Sequence, residues 1–166
     1  MNDPVGFAIV GTGLIAEFHA AAIAQTPAAK LRTVFSRQRD KCDAFAAKHG
    51  CRAANDLREI VGDDSIRAAC ITTPSGAHAD AAVPLLKAGK AVLCEKPLEV
   101  TLDRVDQIIT AATDGGGLLA GVFQMRLGRG ATLLKTAITE GRFGRLTLCS
   151  AYVKWWRDQN YYQSSP

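Results

Sequence analysis

This sequence of 166 residues lacks the spacings that hold metals or disulfides. Its five cysteines, Cys42, Cys51, Cys70, Cys94 and Cys149, are odd in number and contain no C-x-x-C pair. They support neither a zinc site nor a disulfide framework and fit a reducing cytoplasm. Runs of ~20 apolar residues are absent, so no membrane span is expected. The opening Met1-Asn2-Asp3-Pro4 has no basic stretch, and the apolar run 5–10 is too short for a secretory signal. Charge of one sign never accumulates. The net charge is +4 with Lys and Arg scattered, whereas a nucleic-acid footprint needs a clustered basic stripe. There is no repeat at a solenoid period and no low-complexity segment. Aromatics make up only 7% of the chain and gather late, at Tyr152, Trp155, Trp156, Tyr161 and Tyr162. The last stretch therefore reads as different structure from what precedes it.

What is present is alternation. Short apolar runs at 5–10, 31–36, 68–72, 91–95 and 118–123 read as buried strands. Between them, 14–25, 40–49, 55–61, 75–88 and 101–112 read as helices, and 131–139 follows as another. Gly50, Gly62, Gly89 and Gly141 stand at helix ends, Asn55 and Thr101 at N-caps. Strand–helix alternation at this spacing predicts an α/β fold, a doubly wound parallel sheet with helices on both faces. Residues 146–156 differ: an eleven-residue strand pattern with no helix after it. They are expected to begin a second, antiparallel sheet, the alternative being an edge strand of the first. The expected domains are 1–144 and 145–166.

The motif Gly11-Thr12-Gly13-Leu14-Ile15-Ala16 follows the first strand and opens the first helix. Gly11 permits the tight turn, Gly13 lets a pyrophosphate approach the backbone, and Ala16 replaces the third glycine where helix and strand pack. Amides of Gly13, Leu14 and Ile15 at a helix N-terminus suit phosphate. Alone the pattern is weak; after an apolar strand in an alternating chain it points to a bound dinucleotide. After the second strand, where NAD enzymes carry an acid, the chain has Ser36-Arg37-Gln38-Arg39. A hydroxyl and a guanidinium suit a 2′-phosphate, which favours NADP over NAD; solvated loop charges are the other reading. Asp40, the nearest acid, is assigned to capping the following helix.

Two further segments lie at the carboxyl edge of the sheet. Thr73-Pro74 through His78 follows the strand at 68–72 and can line the nicotinamide half of a dinucleotide site. For His78, cofactor contact and a surface or capping role stand open. Glu95-Lys96-Pro97 ends the strand at 91–95. Lys96 there can exchange a proton with a substrate oxygen as a hydride moves, with desolvation tuning its pKa. Glu95 either orients it or contacts the nicotinamide ribose. A plain strand-ending turn with a solvated lysine is the alternative.

Together these residues resemble the Gfo/Idh/MocA family over nearly the whole chain. The turn 11–16, the segment 73–78 and Cys94-Glu95-Lys96-Pro97-Leu98 match it in order and spacing. Phe123-Gln124-Met125-Arg126 is similar to the segment after the sixth strand, where Arg126 would face cofactor or substrate. Glu140-Gly141-Arg142-Phe143-Gly144 is similar to the turn leading into the substrate sheet. The resemblance implies an NAD(P)-dependent oxidoreductase acting on a sugar, polyol or related carbohydrate. It makes Lys96 the catalytic lysine and its bond to Pro97 cis. It implies association of copies, through the apolar 146–156, into a homo-oligomer, and substrate contacts from Lys154, Arg157 and Tyr161. Two departures stand out. Position 75 is Ser where the family more often has Asn. The family's Asp-x-x-x-His element in a C-terminal domain has no counterpart, since His19, His49 and His78 all precede Lys96. The chain thus reads as the cofactor domain plus the first strand of a substrate domain, expected to bind dinucleotide without efficient turnover. The alternative function is a non-catalytic dinucleotide-binding sensor.

Overall fold

The first apolar run forms β1 (Val5–Val10). It lies inside a parallel sheet in the computed structural model, which describes residues 3–163. The other strands are β2 (Ala29–Phe35), β3 (Arg52–Ala53), β4 (Ala68–Ile71), β5 (Ala91–Cys94) and β6 (Leu119–Gly121). Their order is β3-β2-β1-β4-β5-β6, every neighbouring pair parallel. The connections carry α1 (Leu14–Ala24), α2 (Arg39–His49), α3 (Leu57–Val61), α4 (His78–Lys87) and α5 (Leu102–Gly115). This is the doubly wound α/β sheet that the alternation predicts.

Strand side chains alternate between faces, so a strand covered on both must be apolar throughout. Ala8, Val10, Ala69, Ile71, Val92 and Cys94 point into a core with Ile60, Leu85, Leu86 and Ile108 from α3, α4 and α5. Ile9, Val34 and Cys70 point the other way, against Ala16, Ala20 and Ile23 of α1 and Phe45 of α2. Cys70 and Cys94 are buried members of these cores, as their apolar settings predict.

Local differences from the sequence reading have local causes. Strand β3 spans only two residues, too few for a periodic signal; it pairs Arg52 with Thr33 and Ala53 with Val34. The cap of α3 is Asp56 rather than Asn55, its carboxylate accepting from the Arg58 amide at 2.8 Å, a bond worth about 1 kcal/mol. Asp40 does not cap α2; it lies inside the first turn, and Gln38 at the N-cap makes no side-chain bond. Residues 75–77 form a 3-10 turn before α4.

The chain divides into two compact units, one ending at Val122 and the other beginning at Phe123. The second holds a 3-10 turn (Gln124–Leu127), α6 (Arg129–Thr139) and α7 (Gln159–Gln163). The strand expected over 146–156 is not formed: these residues are exposed and carry no ladder. A strand exists only with a partner, and none of the described residues pairs with them.

Candidate functional site

The strand order reverses between β1 and β4, whose connections leave toward opposite edges of the sheet. A crevice opens at the carboxyl ends of such a strand pair. Three segments meet there: the turn after β1, the turn after β4 and the turn after β5.

The turn after β1 is shaped by two glycines with different constraints. Gly11 has φ 108°, a left-handed value that disfavours side chains. Its amide donates to the Phe35 carbonyl at 2.8 Å. Gly13 has φ −77°, which any residue adopts, and a Cβ built on it meets nothing within 4 Å. Nothing inside the chain therefore requires glycine at 13. The open space lies at the start of α1, where opening-turn amides lack intrahelical acceptors and the dipole favours an anion. A helix N-terminus left open in this way suits an anion. Thr12 closes its flank, its hydroxyl donating to Ser36 Oγ at 3.2 Å.

Ser36 Oγ also accepts from the Gln38 amide at 3.3 Å. The two arginines beyond it differ. Arg39 is committed to Asp43 at 2.5 and 2.8 Å and reaches the Ala54 carbonyl and Asn55. Arg37 is exposed, and its guanidinium has no partner among the described residues.

After β4, the Thr72 hydroxyl donates to the carbonyls of Val10 at 3.1 Å and Gly11 at 3.3 Å, joining the two turns. Thr73 donates to Ala77 O at 3.2 Å, and Pro74 precedes the 3-10 turn. His78 does not present itself to a ligand. Its ring is 1% exposed. Nε2 lies 2.8 Å from Thr73 O, and Nδ1 lies 2.8 Å from Pro97 O and 3.3 Å from Leu98 O. Both nitrogens are spent on backbone, so the expected cofactor contact gives way to a link between two turns.

The turn after β5 begins with Glu95, whose amide extends the ladder to Ile71 O at 3.0 Å. Its Oε1 lies 3.0 Å from His19 Nε2 on α1, with both side chains nearly buried. Its Oε2 accepts from the Lys96 amide at 3.2 Å. The Lys96–Pro97 peptide is cis. Lys96 itself is exposed, and its ammonium has no partner among the described residues. Beyond the turn, the Glu99 side chain is fully buried and accepts from Val100 N at 2.8 Å and Ala79 N at 3.1 Å, with Arg104 at 3.4 Å. Burial pushes its pKa up. The two amides and the Arg104 guanidinium outweigh that and hold the carboxyl below its ordinary range.

Residues 5–122 match the family described as "Oxidoreductase family, NAD-binding Rossmann fold", Gfo/Idh/MocA. The chain belongs to this family. It is 34% identical over 116 residues to scyllo-inositol 2-dehydrogenase (NADP(+)) IolU of Bacillus subtilis, covering 69% of this chain and 35% of that protein. It is 31% identical over 145 residues to inositol 2-dehydrogenase of Rhizobium meliloti, covering 87% and 43%. Among solved structures, the WlbA dehydrogenase from Bordetella pertussis in complex with NADH and UDP-GlcNAcA is similar with a TM-score of 0.88 at 31% identity. That match covers 98% of this chain and 50% of WlbA. The chain thus spans half or less of the length of these relatives. The family's cofactor class is NAD(P); one relative is named for NADP and one structure holds NADH.

In this Gfo/Idh/MocA domain the structure brings Gly11 to Ile15, Ser36, Arg37, Thr73, Pro74, Glu95 and Lys96 to the carboxyl edge of one sheet. Arg126 lies in the second unit, in the exposed turn 124–127, where its amide donates to Phe123 O at 2.9 Å. Two groups escaped the sequence reading, His19 and Glu99. Each sits in an ordinary helical or loop context, and only long-range contacts give it a part.

Proposed function

We propose that this chain holds the cofactor of an NAD(P)-dependent oxidoreductase moving a hydride between nicotinamide and a sugar, polyol or related carbohydrate, with NADP preferred. The observation that carries this is the open space over Gly13 at the start of α1, on the same sheet edge as the Lys96 ammonium, which has no partner among the described residues. The amides of Gly13, Leu14 and Ile15, with Gly11 and Thr12 shaping the turn, would hold the pyrophosphate. Ser36 and Arg37 would take the ribose 2′-phosphate. Thr73, Pro74 and Glu95 would line the nicotinamide side, and Arg126 would serve cofactor or substrate.

A bound nicotinamide supplies hydride acceptance or donation at its ring. Oxidising a CH–OH group also frees the hydroxyl proton, and Lys96 Nζ in its neutral form takes that proton; in the reverse direction the ammonium returns it. The names of the inositol dehydrogenases support the polyol class. Five free cysteines support a reducing, cytoplasmic setting, and no helix among the described residues is long and apolar enough to cross a membrane. Exposed Leu148, Tyr152, Val153, Trp155 and Trp156 support self-association, which sedimentation velocity reads.

Titration calorimetry with NADPH and NADH tests the reading. Binding of both below about 1 mM, NADPH the tighter, is expected. Lys96→Ala should leave those affinities within a few-fold. Heat from neither nucleotide at that concentration overturns the proposal.

A further inference from the structure

We propose that His19 and His78 are positioning residues that clamp the turn 95–98 from opposite faces of the sheet and so fix where the Lys96 ammonium stands. The proposal rests on the reading of Lys96 as the proton-transfer group. That side chain is long, exposed and without a partner among the described residues. Its reach is therefore set by its backbone, and small misplacements of a reacting group are costly.

From the α1 side, His19 Nε2 meets Glu95 Oε1 at 3.0 Å, and the other oxygen of that carboxylate accepts from the Lys96 amide at 3.2 Å. The carboxylate thus transmits the position of α1 to the Lys96 backbone. From the α4 side, the His78 ring stands between Thr73 O on one nitrogen and Pro97 O and Leu98 O on the other. Carbonyls only accept, so a contact is a donated hydrogen bond where the facing ring nitrogen carries its N–H, which the tautomer sets. A rigid ring with a nitrogen at each end couples the turn after β4 to the turn after β5. The next residue continues the grip, with Ala79 N donating to Glu99 Oε1 at 3.1 Å.

Simple core packing accounts poorly for this arrangement. α1 and α4 belong to separate cores, yet each sends one histidine to the same short turn. Every polar contact of His78 goes to a backbone carbonyl of a site turn, none to its own helix.

Amide hydrogen exchange on the full chain without nucleotide tests the clamp. His78→Phe fills the ring's place without its polar nitrogens, and His19→Phe does the same on α1. In each, exchange at Lys96, Leu98 and Glu99 should rise about tenfold while Ile9, Val10, Cys70 and Ile71 keep wild-type rates. Imidazole added to His78→Ala should restore protection of the turn and leave His78→Phe unchanged. If an aromatic or alanine variant fails to fold, His78→Leu and His19→Leu, which keep no donor, are read the same way. Unchanged exchange at the turn, or an equal rise in β1 and β4, overturns the clamp. A wild-type chain that binds no nucleotide, together with the local rise in the variants, overturns the functional reading and leaves the clamp standing.

Discussion

A Cβ placed on Gly11 would stand 2.6 Å from the Thr72 carbonyl oxygen, whereas one placed on Gly13 would meet nothing within 4 Å. The fold itself requires the first glycine; no packing contact requires the second, which the proposed function assigns to the cofactor. Gly11→Ala combines that clash with a positive φ and should cost about 1–3 kcal/mol in urea unfolding. Gly13→Ala should change stability by less than about 1 kcal/mol, the reduced freedom of the unfolded chain offsetting alanine's poorer fit at the N-cap of α1, while nucleotide affinity in calorimetry falls. Equal stability loss in the two variants would contradict this division.

Arg37 and Arg39 should separate in the same way. Losing a charge-assisted bond costs about 1.5–3 kcal/mol. Arg37→Ala should therefore weaken NADPH about tenfold or more and leave NADH nearly unchanged. Arg39 is held by Asp43 and Asn55, so Arg39→Ala should leave the NADPH-to-NADH ratio alone. A ratio that moves with Arg39 and not Arg37 would reassign the 2′-phosphate contact.

Thiol reactivity should divide the cysteines. Burial, with the Glu95 charge adding to it, pushes Cys70 and Cys94 up to about 12; burial also raises Cys42 and Cys51. Cys149 is exposed. A disulfide-exchange reagent at neutral pH should modify Cys149 within the first phase and reach Cys42, Cys70 and Cys94 only as the chain unfolds, because the thiolate is the reacting form. Mass mapping of early adducts on Cys70 or Cys94 would contradict the packing.

Glu99 should make stability depend on acid. Its native carboxyl is held below the ordinary range, so the unfolded chain binds more protons at this site. The stabilisation is present above the unfolded value of about 4.3 and is lost as pH falls through the lower native value. Asp56, brought to about 2 by Arg58, and Glu17, Glu59 and Asp63, also lowered, add a fall shared by wild type and variant. Urea midpoints between neutral and acid pH should converge for wild type and Glu99→Gln as pH drops. A constant gap would remove Glu99 from the account.

Much of the site was legible in the chain because its signals are short-range. Gly11 to Ala16, Ser36-Arg37 and Glu95-Lys96-Pro97 each carry their chemistry within a few residues, and the apolar runs place them at strand ends. His78 was legible as a site residue but not in its role. Helical position says nothing of a ring whose partners are 19 and 20 residues away in sequence. The strand pattern at 146–156 carries no ladder among the described residues for a related reason: alternation describes one strand, and a ladder needs two.

The sequence by itself determined the order of strands and helices, the glycine turn and the lysine at the fifth strand's end, since hydrophobic period and backbone sterics act locally. Only the tertiary structure decided that His19 meets Glu95 across 76 residues and that Arg39 is occupied while Arg37 is open. Those outcomes depend on which strands lie side by side. Strand order is a property of the packed sheet, not of any segment within it.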